Sequence, residues 1–192
     1  FHFDIAKIYI KTCTLYCIVL LFNFFLTFFF FWSLALFFCK LALNLDIMEF
    51  NVRNLNLYLL KNLPSAYLCG VRVYALDKEY CTVRVKYGWL NQNPFNSMYF
   101  AVQNMGAELT TGALVMKAIK ESGQRISMLV LNQKSQFTKK ATGVITFKCS
   151  QGILIREKIE EALQNSSGVS FWVRSEGFDD KGDKVGIYDF EW

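Results

Sequence analysis

Apolar positions recur along residues 49–192 with two kinds of spacing. Spacing by three and four residues predicts an amphipathic helix, whereas strict alternation predicts a strand with one buried face. The predicted helices cover residues 49–63, 98–119 and 156–164, and the predicted strands cover residues 71–76, 81–87, 127–140, 143–150, 169–176 and 185–192. The order is a helix, two strands, a long helix, and four strands with a small helix inserted, which predicts an α+β domain.

The helix predicted over residues 98–119 differs from the others because apolar side chains surround nearly its whole circumference. A helix of that kind is buried on most sides. A loop rich in Asn, residues 91–96, leads into it, and Asn96 or Ser97 is the predicted N-cap because short polar side chains accept hydrogen bonds from the first helical N–H groups. Gly123 is the predicted residue that ends the helix. The domain is therefore expected to be organised around this helix.

Glu108 lies within this apolar helix and needs an explanation. A buried carboxylate is costly unless it is paired or used. In one interpretation Glu108 lies at a pocket, where it holds or activates a water molecule. In the other, it faces solvent or pairs with Lys117 or with a lysine on a strand. The pattern leaves both interpretations open.

The composition excludes several kinds of chemistry. The single histidine is His2, so Ser-His-Asp, Cys-His and HExxH sites are excluded from residues 48–192. The six cysteines contain no CxxC pair, which argues against a metal site or a disulfide framework and favours a reducing, cytoplasmic location. A formal net charge of +5 with scattered lysines argues against a nucleic-acid partner. Any reaction must therefore use carboxylates, amides, hydroxyls and backbone groups.

Residues 1–47 form a hydrophobic segment unlike the rest of the chain. The uncharged run over residues 15–39 exceeds the roughly 20 apolar residues that span a bilayer, which indicates a transmembrane helix or an uncleaved signal anchor. Alternatively, the segment is an upstream extension translated from noncoding sequence, because it begins with Phe and holds eleven of the nineteen phenylalanines. In that case the protein is a soluble domain of residues 48–192, starting at Met48.

The stretch WLNQNPFNSMYFAVQNMGAEL, followed by ISMLVLNQKSQFTKKATG, resembles the paaI-like hotdog-fold thioesterases. It is most similar to a bacterial subgroup known only as a domain of unknown function. In this superfamily an Asn-containing loop leads into the central helix and an acid lies about three turns along it, positions that Asn93 and Glu108 match. The resemblance covers roughly residues 50–192. It implies the hotdog fold, in which an antiparallel curved sheet wraps around one long central helix.

The resemblance also implies an activity, the hydrolysis of an acyl-CoA or acyl-carrier thioester. Glu108 would act as general base or water holder, Asn93 as a carbonyl contact or loop organiser, and backbone amides at the helix start as the oxyanion site. The other implied substrate-binding residues are Ser97, Met98, Tyr99, Phe100, Gln103 and Asn104. No metal and no cofactor is implied, since CoA enters only as part of the substrate.

Relatives with this fold generally form homodimers with a continuous sheet, to which the strand carrying Met128, Val130 and Asn132 is expected to contribute. Four basic residues are candidate contacts for CoA phosphates, or else protect an edge strand from aggregation: Arg125, Lys134, Lys139 and Lys140.

One departure from the pattern supports a different function. Where many relatives carry His-Gly-Gly, this chain has Phe100-Ala101 after Tyr99, so side chains partly fill the space in which backbone approaches substrate. A non-catalytic protein that binds acyl groups or fatty acids is therefore the main alternative. If residues 15–39 are an anchor, a membrane-tethered partner protein is a further one.

Overall fold

The structure, a computed structural model, describes residues 50–165 and 168–192 of the 192-residue chain. The hydrophobic segment lies outside the described residues, and with it both predictions about a membrane anchor or an upstream extension. In the part that the structure describes, no helix combines the length and the apolarity needed to cross a bilayer.

Helices and strands follow one another in the predicted order, which confirms the α+β class. The helices are α1 (Val52–Asn62), α2 (Pro64–Leu68), α3 (Phe100–Ser122) and α4 (Gly152–Asn165). The strands are β1 (Arg72–Leu76), β2 (Cys81–Lys86), β3 (Asn132–Phe137), β4 (Val144–Cys149), β5 (Trp172–Phe178) and β6 (Lys184–Glu191). The predicted first helix ends before Pro64, as expected. Pro64 also begins α2, where a missing backbone N–H costs nothing because the first N–H groups of a helix have no partner within it.

The six strands form one antiparallel sheet in the order β1-β2-β4-β5-β6-β3, and α3 packs on one face of it. The core lies between them and includes Val83, Val85 and Phe147 from the sheet. A Cβ atom on Gly106 would lie 2.7 Å from the ring of Phe147, so only glycine lets α3 come this close to β4. An antiparallel sheet packed around one central helix is the architecture predicted from the sequence.

The two edges of the sheet differ. At the β1 edge, the side chain of Asn56 in α1 donates to Val73 O and accepts from Val73 N, both at 2.9 Å. At the other edge, one side of β3 pairs with β6, and no strand of the described chain pairs with the outer side of β3. The β3 side chains are mostly exposed. Among the described residues, α1 therefore caps the β1 edge at Val73, whereas the outer side of β3 is left bare.

The predicted start of the central helix was wrong. Helix α3 begins at Phe100, and the N-cap position belongs to Tyr99, whose side chain makes no capping bond. Asn96 has a left-handed backbone conformation (φ 56°), and Ser97 is bonded within the preceding loop, so neither caps the helix. At the other end Gly123 has φ 68°, and its predicted role as the terminating residue is confirmed.

The strand predicted over residues 127–140 is shorter than expected, since β3 covers only Asn132–Phe137. Met128 and Val130 are partly buried against the core without belonging to a strand. Leu131 N still donates to Glu191 O at 2.8 Å, so the pairing with the last strand extends one residue further. The alternation in this segment reflects packing against the core and not a sheet ladder.

Candidate active site at the start of the central helix

A cavity of about 620 Å³ opens at the N-terminal end of α3. Its wall is formed by Asn93, Pro94, Phe95, Ser97, Met98, Tyr99, Phe100, Gln103, Phe137, Thr138, Lys139, Lys140 and Ala141. Six of the predicted site residues are in this wall: Asn93, Ser97, Met98, Tyr99, Phe100 and Gln103. Asn104 and Glu108 are not.

The residues that follow β3 form the opposite wall, and only two of them, Lys139 and Lys140, were predicted from the sequence to contact a ligand. Met98 N donates to Ala141 O at 2.8 Å and thereby joins the loop before α3 to this stretch. Ala141 is buried although polar residues surround it in the sequence. The only signal of this wall in the sequence is one small apolar residue, Ala141, within a polar segment.

Asn93 organises the loop that leads to the cavity. Its Oδ1 accepts from Phe95 N at 2.9 Å and from the N–H and hydroxyl of Ser97, both at 3.3 Å. Its Nδ2 lies 3.1 Å from Ser97 Oγ, to which it donates. An Asn side chain that bonds its own loop backbone stabilises a tight turn. This arrangement is the loop-organising half of the role predicted for Asn93.

The backbone N–H groups at the helix start are not equally available. Met98 N donates to Ala141 O and Tyr99 N donates to Asn91 O, both at 2.8 Å. The N–H groups of Phe100 and Ala101 have no acceptor among the described residues. Unpaired N–H groups at a helix N-terminus attract partial negative charge. Of the backbone amides in the region predicted as an oxyanion site, only those of Phe100 and Ala101 are therefore available to a substrate among the described residues.

Gln103 is 5% exposed and reaches the cavity from the first turn of α3. Its Nε2 donates to Met98 O at 3.0 Å. Its Oε1 accepts from the hydroxyl of Tyr188 at 2.8 Å. Burial raises the pKa of Tyr188 well above its ordinary value, so the phenol keeps its proton.

Aromatic rings line the cavity on the side of α3 and β3. The ring of Phe100 lies edge-to-face with those of Tyr99 and Phe137, with centroids 4.9 and 6.4 Å apart. Phe137 in turn lies edge-to-face with Tyr188 at 5.8 Å. Tyr99, Phe100 and Phe137 remain about half exposed. The cavity therefore offers an apolar surface that no part of the described chain covers.

Glu108 lies about two helical turns beyond Phe100, outside the wall of the cavity. Burial raises its pKa from 4.5 to about 7. Its carboxyl group has no hydrogen-bond or ion-pair partner among the described residues, and Lys117 pairs with Glu121 instead, at 3.4 Å. The predicted ion pair with Lys117 is thus not observed, and the Glu108 side chain is half-buried without a polar partner in the described chain.

Asn104 lies between the cavity and Glu108 on α3. Its Oδ1 accepts from Ser135 Oγ at 2.6 Å and from Gln133 Nε2 at 3.0 Å. These bonds hold the open face of α3 against β3, the bare edge strand. In the structure Asn104 thus links two elements and does not reach the cavity.

The basic residues near the cavity differ in how far they are neutralised. Lys139 Nζ lies 2.5 Å from Asp179 and 2.7 Å from Asp183. Lys140 Nζ donates to Phe95 O at 3.1 Å and has no acidic partner among the described residues. Lys134 lies outside this cavity, in a groove of about 800 Å³ where its Nζ is 4.5 Å from the ring centre of Trp172. Of the predicted phosphate contacts, Lys140 is therefore the one with a free charge at the cavity.

Two of the three described cysteines, Cys81 and Cys149, are not arranged for chemistry. Cys81 and Cys149 face each other across β2 and β4 and are buried, and burial raises the pKa values of their thiols to about 12 and about 11. Such thiols stay protonated and are poor nucleophiles. Within residues 50–165 and 168–192 no group of three or more His, Cys, Asp or Glu residues is placed to hold a metal ion.

Sequence comparison matches residues 58–192 to the family described as Domain of unknown function (DUF4442). Among curated proteins, none matches the chain.

Solved structures share the fold. Protein PA5026 of Pseudomonas aeruginosa, described as a probable thioesterase, is 23% identical and has a TM-score of 0.62, with 72% of this chain and 92% of that chain covered. Thioesterase HI1161 of Haemophilus influenzae is 11% identical, with a TM-score of 0.56 and coverage of 75% and 90%. The PaaI protein of the Escherichia coli phenylacetic acid degradation operon is 11% identical, with a TM-score of 0.50 and coverage of 71% and 92%. With the antiparallel sheet and central helix, these similarities confirm the predicted hotdog fold.

Proposed function

Because the chain belongs to the DUF4442 family and has the hotdog fold, we propose that it hydrolyses the thioester bond of an acyl-CoA or acyl-carrier substrate. One observation carries this proposal: a half-buried carboxyl group with a pKa raised to about 7 lies on the same helix as Phe100, which belongs to the wall of an apolar cavity and whose N–H has no acceptor in the described chain. A base with a pKa near the working pH is well suited to take a proton from water.

The chemistry follows from the groups at the two ends of this arrangement. The thioester carbonyl oxygen accepts hydrogen bonds from Phe100 N and Ala101 N, which stabilise the negative charge that develops on it. Glu108 takes a proton from water while the water oxygen attacks the carbonyl carbon. The C–S bond then breaks, the thiolate leaves, and the proton returns from Glu108 to the sulfur. No metal and no cofactor takes part, and CoA belongs to the substrate.

Glu108 lies outside the cavity wall of its own chain, and in a homodimer it can instead serve the cavity of the partner. Helix α3 and strand β3 run in opposite directions, since Phe100 contacts Phe137 whereas Asn104 contacts Ser135 and Gln133. By continuation, Glu108 is level with the first residues of β3. If two copies pair their bare β3 edges antiparallel, the start of one strand lies beside the end of the other. Glu108 of one copy then lies level with the cavity wall of its partner.

The first test is hydrolysis of a panel of acyl-CoAs, followed as release of free thiol by the wild type, Glu108→Gln and Glu121→Gln. Glu121 lies on the same helix at the surface and serves as the matched control. Loss of the catalytic carboxylate is expected to lower kcat by about 10²–10⁴-fold, whereas the control retains its rate. Equal rates for the wild type and Glu108→Gln would refute the assigned role.

A mixing experiment tests whether two copies share each site. Glu108→Gln and Asn93→Ala chains are each expected to be weakly active alone. If Asn93 and Glu108 of different copies form one site, exchange of subunits in an equal mixture restores about a quarter of wild-type activity, because half of the dimers are mixed and each has one intact site. No recovery after verified subunit exchange would mean that each site lies within one chain.

The second candidate function is binding of an acyl group or fatty acid without turnover. The half-exposed rings of Tyr99 and Phe100 at the cavity favour it, because they occupy the approach to the free amides. Native mass spectrometry that finds a copurified acyl compound, together with no thioester hydrolysis, would select this function.

A further inference from the structure

The side-chain amide of Gln103 is held at both ends. Nε2 donates to Met98 O at 3.0 Å, and Oε1 accepts from Tyr188 Oη at 2.8 Å. A primary amide nitrogen carries two N–H groups. The second one has no acceptor in the part of the chain that the structure describes. Because Gln103 belongs to the wall of the cavity, this N–H is the donor that its amide has left for a bound molecule.

The orientation of this amide is determined by its neighbours. A backbone carbonyl oxygen only accepts, so the reversed amide would place Oε1 against Met98 O, two acceptors in contact. The reversed amide would also remove the acceptor for the Tyr188 hydroxyl in a buried position. Both neighbours therefore favour the form in which nitrogen remains on the side of Met98.

Tyr188 is a rigid reference for this orientation. It is 0% exposed, and its ring lies edge-to-face with those of Phe137 and Phe147 at 5.8 and 5.6 Å. A Cβ atom on Gly186 would lie 2.6 Å from the Tyr188 hydroxyl oxygen, so the absence of a side chain there makes room for that oxygen. Packing of the sheet thus sets the position of the hydroxyl independently of Gln103.

We propose that the second N–H of Gln103 Nε2 donates to the carbonyl oxygen of the bound acyl group, and that Tyr188 is the positioning residue that keeps this amide in its donating orientation. The inference rests on the proposed function for the identity of the substrate. Gln103 then supplements the helix amides as a further donor, since Gln103 and Phe100 both belong to the wall of the cavity.

The experiment uses three variants of the full chain. Tyr188→Phe removes one hydroxyl and leaves the ring, Gln103→Leu removes the amide, and Ser175→Ala is the matched control. Ser175 is 0% exposed, and its hydroxyl also makes a buried hydrogen bond, to Thr110 at 2.8 Å, outside the cavity wall. The two readouts are octanoyl-CoA hydrolysis and the affinity for two stable octanoyl-CoA analogues. One analogue is a ketone with CH₂ in place of the thioester sulfur, and the other is a thioether without the carbonyl.

The wild type is expected to bind the ketone more tightly than the thioether, because the carbonyl oxygen accepts hydrogen bonds from the helix start and from Gln103. Tyr188→Phe and Gln103→Leu should each reduce this preference by about tenfold, the value of one hydrogen bond, whereas Ser175→Ala keeps it in full. In hydrolysis, Tyr188→Phe should lower kcat about tenfold with little change in KM. In the Gln103→Leu background the same change should have an effect of less than about twofold, because the residues act as one unit.

The outcomes separate this inference from the proposed function. A wild type that prefers the ketone through Tyr188 and Gln103 but hydrolyses nothing supports the inference and refutes the thioesterase. A wild type without the preference overturns the inference whatever the turnover, and so does a Tyr188→Phe variant that keeps the full wild-type preference. Additive losses of kcat in the double variant also overturn it, since a purely structural role of Tyr188 would act independently of Gln103.

Discussion

The two halves of helix α3 are continuous in sequence but differ in how they use their residues. In the first half, up to Glu108, N–H groups and an amide donor lack acceptors in the described chain, aromatic rings are half exposed, and a half-buried acid has no partner there. In the second half, Thr110 bonds Ala107 O and the hydroxyl of Ser175, and Thr111 accepts from the indole of Trp192. Its polar groups are thus satisfied inside the core.

The difference shows that burial alone does not locate a site. Leu109, Ala113, Leu114 and Val115 are as apolar as the cavity residues, yet they are buried in the hydrophobic core. The site forms where donors remain unpaired beside an uncovered apolar surface. Unpaired groups and exposed rings cost stability, so the first half is expected to be tuned for binding and the second for stability.

The largest effect on stability is expected from Leu114→Ala in the second half. Leu114 is 2% exposed, and deleting its side chain leaves a cavity under the helix, which costs about 2–5 kcal/mol. The free energy of unfolding from urea titration measures this loss. Leu60→Ala, on the exposed face of α1, is the control and should cost well under half as much. A small loss for Leu114→Ala would show that the second half is not the rigid part.

Glu108→Gln is expected to stabilise the protein while it removes activity. The folded protein keeps a proton on Glu108 up to about pH 7, whereas the unfolded chain loses it near 4.5. The free energy of unfolding should therefore fall as pH rises between these values and then level off. Glu108→Gln removes this decline and should be about 1–3 kcal/mol more stable than the wild type above pH 7. Urea titrations on both sides of this range test it, and Glu121→Gln should retain the wild-type profile.

Thr110→Val tests whether the polar groups of the second half serve stability alone. Removing the hydroxyl leaves the buried Ser175 Oγ without its partner, a loss of about 1–3 kcal/mol. In the double variant with Ser175→Ala the loss should be smaller than the sum of the single losses. Thermal unfolding measures the loss of stability, and hydrolysis assays show whether kcat or KM also changes. A changed kcat or KM at unchanged stability would contradict the division between the halves.

Phe100→Ala should have the smallest effect on stability and a clear effect on binding. The ring is 52% exposed and loses two edge-to-face contacts, which are worth about 0.5–1.5 kcal/mol each at most. Its removal widens the approach to the free amides, so longer acyl chains should gain in kcat/KM relative to shorter ones. A series of acyl-CoAs of increasing length measures this change. An unchanged preference would show that the exposed ring does not limit the substrate.

Local signals in the sequence were enough to predict α3 and its end at Gly123, because helix periodicity and a C-terminal glycine depend on neighbouring residues. The start of the helix was missed because Asn93 and Ser97 bond each other instead of the helix. Asn and Ser are common both as helix N-caps and in tight turns, so the sequence pattern alone does not show which of the two structures forms here.

The rest of the candidate site depends on contacts between distant parts of the chain. Lys139 is neutralised by Asp179 and Asp183, some forty residues further along the chain. The link from Gln103 to Tyr188 spans 85 positions. Such pairs have no periodicity, so a single sequence cannot reveal them. The proposed position of Glu108 beside a partner's cavity depends on a second copy of the chain, so the sequence pattern of one chain could not predict it either.

The two edges of the described sheet differ in what they offer to another strand. Asn56 occupies both main-chain groups that Val73 would present at the β1 edge, whereas no strand of the described chain pairs with the outer side of β3. Addition of a strand is therefore favoured at one edge and opposed at the other, so pairing of two β3 edges would favour a closed pair over a filament.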